Sequence, residues 1–198
     1  MYGGCPFLVV RRGDQSLLIF TEKSDQRLYM LRLGSQQAPV AISPAPPSPK
    51  SWRFAEIIAG PAVEFWCIRE MHAADHSVSR DLVAVSITGS LRSLISVPAA
   101  NFYAHPRLSP NRSHLCFLTW SHPNMPWDST QLHVADVDAS GIVTNDRVIF
   151  GGDDVSVLSP EWLNDDERIV CISDNSGWYH PSTSSHPRGV VLSHAAQV

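Results

Sequence analysis

Pro106-Arg107-Leu108-Ser109-Pro110-Asn111, followed by Leu115-Cys116-Phe117-Leu118-Thr119, lays over Pro160-Glu161-Trp162-Leu163-Asn164-Asp165, followed by Ile169-Val170-Cys171-Ile172-Ser173, with Ser109 on Leu163, 54 residues on. Phe54-Ala55-Glu56-Ile57-Ile58-Ala59, then Phe65-Trp66-Cys67-Ile68-Arg69, fits the same template with Ala59 on Ser109, a step of 50. Each copy holds an apolar strand, a polar turn, a second apolar strand and a loop. A third strand follows, as in Leu28 to Leu33, Leu82 to Ile87 and Leu132 to Val137, and a shorter fourth closes the unit. Four antiparallel strands in about 50 residues is the size of one β-propeller blade.

The rest of the chain agrees. Fifteen prolines and eleven glycines leave little room for a three-turn helix, and no apolar stripe of helical period stands out. Short runs rich in β-branched and aromatic residues, separated by Arg12-Gly13-Asp14, Ala139-Ser140-Gly141 and Asn164-Asp165-Asp166, read as strands and tight turns. The expected fold is all-β, a partial propeller of about three four-stranded blades plus half of a fourth. Residues 5–45, 52–98 and 103–152 give three blades, and 158–179 the opening half of another. Residues 180–198, polar and broken by Pro181 and Pro187, are expected to be a disordered tail, with Gly189-Val190-Val191-Leu192 able to pair once with a sheet edge.

Composition narrows the function. Charged residues are 17% of the chain, the formal net charge is −4, and the 15 basic residues scatter singly, which argues against nucleic-acid binding. No apolar run approaches the length of a membrane span, and the first residues lack the pattern of a signal peptide, so a cytoplasmic location is expected. Cys5, Cys67, Cys116 and Cys171 form no C-x-x-C pair, and Cys67 and Cys171 fall where Phe117 falls in the repeat, an equivalence that favours burial between blades.

Several stretches carry a family resemblance: Tyr2-Gly3-Gly4, Asp25-Gln26-Arg27-Leu28-Tyr29, Arg53-Phe54-Ala55-Glu56, Arg69-Glu70, and Asn101 to Pro110. The most specific is Trp120-Ser121-His122-Pro123-Asn124-Met125-Pro126-Trp127-Asp128-Ser129-Thr130-Gln131-Leu132, with Ser173-Asp174-Asn175-Ser176-Gly177-Trp178 behind it. From Tyr2 to Tyr179 the sequence resembles the N-terminal propeller of prolyl oligopeptidase family serine peptidases, in the acylaminoacyl-peptidase and dipeptidyl-peptidase-like branch. The resemblance implies a propeller that gates and orients peptide substrates for a C-terminal α/β-hydrolase domain. It ends near Tyr179. No Gly-x-Ser-x-Gly nucleophile elbow occurs in the 198 residues, so the chain resembles a truncated propeller that has no catalytic residues of its own and no peptidase activity alone. The alternative from another class is a stand-alone propeller-type interaction module.

Candidate substrate-binding residues are few. Arg69 and Glu70 could face substrate, since some relatives use propeller charges to grip a peptide terminus, or could form a structural ion pair. Trp127 and Asp128, in the loop from Ser121 to Asp128, could line an entrance or pack over the next blade. No cofactor or metal is expected. Asp136 to Gly141 imitates half of a calcium loop, but Arg147 stands where the bidentate Glu belongs. His72 and His76 lack both a helix and a catalytic Glu between them. The expected partner is a peptide in the parent enzyme. Self-association is also expected, through blade faces left without cover: Phe7, Leu18 and Phe20 at one end, Trp162, Ile169 and Cys171 at the other.

Overall fold

A computed structural model describes residues 5–95, 97, 100–185 and 193–194. Among these there is no helix, and the strands form four antiparallel four-stranded sheets, each in simple sequence order. The first sheet holds β1 (Phe7–Arg12), β2 (Gln15–Thr21), β3 (Leu28–Arg32) and β4 (Val40–Ala41). The second holds β5 (Trp52–Ala59), β6 (Glu64–His72), β7 (Val78–Ser86) and β8 (Leu91–Ile95). The third holds β9 (Phe102–Leu108), β10 (His114–Trp120), β11 (Gln131–Val137) and β12 (Val143–Gly151). The fourth holds β13 (Val157–Trp162), β14 (Arg168–Ser173), β15 (His180–Ser185) and β16 (Ser193–His194). This is a partial all-β propeller, with each sheet a blade.

The blades fall into two compact units, residues 1–97 and 98–198. In the first unit, Leu17, Ile19 and Leu28 of one blade bury against Phe54, Phe65 and Cys67 of the next. In the second, Cys116, Leu118 and Val134 bury against Val157, Ile169 and Cys171. The alternation is the period of two that a strand imposes: Leu17 and Ile19, or Ile169 and Cys171, share a face while their neighbours point the other way.

The repeat has a backbone counterpart. The first strand of each of the last three blades carries a register shift, between Ala55 and Ile58 in β5, opposite Cys116 and Leu118 in β9, and between Leu158 and Glu161 in β13. One residue in each bulge sits at positive φ: Glu56 at 55°, His105 at 51° and Ser159 at 49°. Pro106 and Pro160 follow directly, where the ladder is interrupted and a missing N–H costs little.

Three expectations change. The overlay of Ala59 on Ser109 is displaced by one residue: Gly60 bonds Glu64 as Ser109 bonds His114 and Leu163 bonds Arg168, so the earliest of the three turns is a residue shorter. Beyond that turn the overlay of Cys67, Phe117 and Cys171 holds, and all three are buried.

The fourth blade does not stop at Tyr179. Residues 180–185 of the expected tail form β15, which pairs with β14 from Ser173↔His180 to Arg168↔Ser185, and β16 adds Ser182↔His194 and Thr183↔Ser193. The open edge of an apolar strand orders a polar partner through backbone hydrogen bonds, and Pro181 sits outside the stretch that bonds to β16. Gly189 to Leu192 lie outside the described residues.

Burial at the ends also differs. Phe7 is 50% exposed, and Leu18 and Phe20 are half-buried, on the blade 1 face turned away from blade 2. Ile169 and Cys171, expected to lack cover, are buried against blade 3, and the Trp162 indole donates to the Arg107 carbonyl at 3.0 Å. Alternation along β14 places them on the covered face and leaves Val170 and Ile172 on the other.

Candidate substrate-facing sites

Neighbours on one strand point to opposite faces, so Arg69 and Glu70 cannot bond each other. Arg69 stands opposite Asp81 of β7 and grips it with two bonds, Nε to Oδ1 at 3.0 Å and Nη2 to Oδ2 at 2.7 Å. Ser93 donates to the same carboxylate at 3.0 Å, and the Trp52 ring covers the guanidinium at 4.8 Å. Both ions are nearly excluded from water, at 9% and 5% exposure, so their mutual neutralisation is what makes burial tolerable. Arg69 braces β6 to β7.

Glu70 serves a different neighbourhood. Its Oε2 accepts from Arg80 Nε at 2.8 Å, its Oε1 meets His72 Nε2 at 2.6 Å, and Arg53 Nη1 lies 3.7 Å away. Burial works to raise the pKa of this carboxyl, but the His72 hydrogen bond and the Arg80 charge outweigh it, and the value falls below that of an ordinary glutamate. With Gln26, Lys50, Arg53, Phe54, Ala55 and Ile68, Glu70 lines a recess of about 300 Å³. That is the lower end of the range for small-molecule sites.

In the other unit, Trp127 is 59% exposed and Asp128 is exposed. Asp128 closes its own loop, accepting from the Met125 amide at 2.8 Å through Oδ2 while its amide donates to the Met125 carbonyl at 2.9 Å. The buried Ser156 ties this loop to the turn after β14. Its hydroxyl donates to the Pro126 carbonyl at 2.8 Å and accepts from Tyr179 at 3.1 Å, while its amide donates to Asp174 at 2.7 Å. Met125, Trp127, Trp178 and Tyr179 thus stand exposed on loops held by one serine, Trp178 at 84%. Exposed aromatic side chains on a fixed backbone suit contact with a partner or substrate. The turn signal Ser-Gly-Trp marks Trp178 in the sequence, but nothing local discloses the Ser156 link.

Two further arrangements look chemical and are architectural. His133 meets Thr119 Oγ1 through Nε2 and Asp146 Oδ1 through Nδ1, each at 2.9 Å, and stacks on Phe117 at 4.8 Å. The order of groups imitates a hydrolase triad, yet Thr119 is 1% exposed, so its hydroxyl cannot reach a substrate. It staples β10, β11 and β12. Asp138, in the half calcium loop, accepts from the amides of Ser140 and Ile142, and Asp136 meets Asn145 and Arg147, a strand-turn-strand arrangement.

Among the described residues no group of three His, Cys, Asp or Glu side chains could hold a metal ion, and no helix is long and apolar enough to cross a membrane. Burial raises the thiol pKa of Cys67 and Cys116 far above the ordinary value and pushes that of Cys171 up to about 11, which makes all three unreactive packing groups.

No protein-family profile matches the chain, and no curated protein does. Solved structures do. A puromycin-hydrolysing peptidase of Mycobacterium tuberculosis superposes on all of this chain with 31% identity and a TM-score of 0.88, and puromycin hydrolase does so with 29% identity and a TM-score of 0.90. These residues belong to the N-terminal propeller of the prolyl oligopeptidase family. A serine-to-alanine variant of puromycin hydrolase complexed with PGG gives a TM-score of 0.91 over the same span. The chain spans about a third of the length of these peptidases, 31% and 32%. That third is therefore what can be compared.

Proposed function

We propose that this propeller serves a serine peptidase of the prolyl oligopeptidase family, within its acylaminoacyl-peptidase and dipeptidyl-peptidase-like branch. It admits short peptides and aminoacyl amides of the puromycin type to an α/β-hydrolase domain and holds them in place. The observation that carries this reading is the match over the whole chain to peptidases that hydrolyse puromycin. The rigid loops bearing Trp127 and Trp178 and the charged recess beside Glu70 are features that handling a substrate would use. The four cysteines are free thiols, in keeping with work in the cytoplasm.

A chimera tests the proposal: this chain replaces the matching third of puromycin hydrolase. The chimera is expected to hydrolyse puromycin and to leave a folded protein substrate such as casein intact. The 198 residues alone are expected to hydrolyse neither, for want of a nucleophile elbow. A folded chimera that fails on puromycin, or that degrades casein, would overturn the reading.

A further inference from the structure

The recess beside Glu70 is unbalanced in charge. Among the described residues that line it Glu70 is the one carboxylate, and both oxygens are engaged, Oε1 by His72 and Oε2 by Arg80, with Arg53 beyond hydrogen-bond distance at 3.7 Å. Among the described residues Arg53 has no other ion-pair partner, and its side chain is 49% exposed. Lys50, exposed and at φ 58°, forms no ion pair with any described residue. The remaining lining is largely apolar, from Phe54, Ala55 and Ile68. The recess thus offers cationic donors beside an apolar wall, with the Gln26 amide as its one uncharged polar side chain and its carboxylate already held by His72 and Arg80. An amine would meet Lys50, Arg53 and Arg80 against a carboxylate already neutralised. A carboxylate would meet donors that now face water, and charge-assisted bonds to arginine are among the stronger polar contacts.

We propose that this recess binds the carboxylate end of a small apolar ligand, the C-terminal residue of a short peptide, with Arg53 and Lys50 as the anion-binding groups and Phe54, Ala55 and Ile68 against its side chain. The choice of a peptide end over a free organic acid rests on the peptidase reading above; the anion site itself does not. A volume of about 300 Å³ admits one residue and part of another, which makes the recess a gauge of chain length as well as of charge.

Titration of the isotopically labelled 198-residue chain, followed by the amide resonances of Arg53, Ala55, Ile68 and Glu70, tests this. The probes are alanyl-leucine, alanyl-leucinamide and isovalerate. Alanyl-leucine is expected to shift these resonances saturably, with the amide at least tenfold weaker and isovalerate in between. Arg53→Gln and Lys50→Gln should each weaken the dipeptide about fivefold or more without altering the spectrum elsewhere. Equal binding of acid and amide, or dipeptide affinity unchanged in both variants, would overturn the anion site. Isovalerate binding as tightly as alanyl-leucine would overturn the assignment to peptides. Dipeptide binding with an inactive chimera would sink the peptidase reading alone, whereas an active chimera with no binding here would sink the recess alone.

Discussion

Asp81 illustrates how a charge can be buried when its partners fill it. Its carboxylate is filled by two arginine donors and a serine hydroxyl, so Asp81→Ala would strand Arg69 in a site that water scarcely reaches. Removing one partner of a buried pair costs about 3–5 kcal/mol. Urea unfolding should register a loss of that size, while Asp81→Asn, which keeps the hydrogen-bonding shape, should lose less.

Glu70 gives a pH signature. Its folded pKa lies below the ordinary value of 4.5, so its contribution to stability is present above that value and is lost as pH falls through the folded pKa. Acid unfolding midpoints should therefore fall more steeply below about pH 4.5 in the wild type than in Glu70→Gln. Parallel curves would mean that the bonds from His72 and Arg80 contribute nothing. The pair Arg69-Glu70 was visible in the sequence as charge, but the division of labour between them was not. It depends on which face of β6 each takes, and on Asp81 and Arg80 coming from the neighbouring strand.

At the scale of the element, the bulges in β5, β9 and β13 set where each first strand bends. Their left-handed residues are Glu56, His105 and Ser159, none of them glycine, so the conformation is held against an intrinsic cost of about 1–2 kcal/mol. Ser159→Gly should raise stability by up to about 1 kcal/mol, because glycine relieves the φ but gives back part of the gain as entropy of the unfolded chain. Ser159→Val should lower it by about as much, since a β-branched residue tolerates positive φ poorly. Thermal unfolding of the two variants would show the order, and a more stable valine variant would contradict it. These bulges leave little trace in the sequence beyond Pro106 and Pro160, whereas the paired apolar strands around them, such as Leu115 to Thr119 and Ile169 to Ser173, were plain. β15 was hidden for a related reason. His180-Pro181-Ser182-Thr183-Ser184-Ser185 has no apolar alternation, and the order it acquires comes from the edge of β14.

For the whole molecule, the face of blade 1 turned from blade 2 is the feature with the widest consequence. Phe7 and Val9 lie on it at 50% and 54% exposure, across from Phe20 and Leu18, with Tyr29 stacked on Phe20 at 5.9 Å. Sedimentation of the 198-residue chain is expected to show association that Phe7→Lys with Val9→Lys relieves. A monomer with no concentration dependence would remove that expectation.

The repeat was legible because each blade must bury two faces and reverse direction at fixed intervals, which writes apolar strands and polar turns into the chain with a period. Ties that cross between distant loops, such as Pro126 to Ser156 to Tyr179, have no such period. The measurement that bears most directly on this architecture is cross-strand nuclear Overhauser contacts in the folded chain. Four-stranded blades predict contacts between Cys116 and Val134, between Ile169 and Trp162, and between Val170 and Thr183 in the last sheet. Strong contacts for the first two pairs with none between Val170 and Thr183 would contradict a fourth blade that continues through β15.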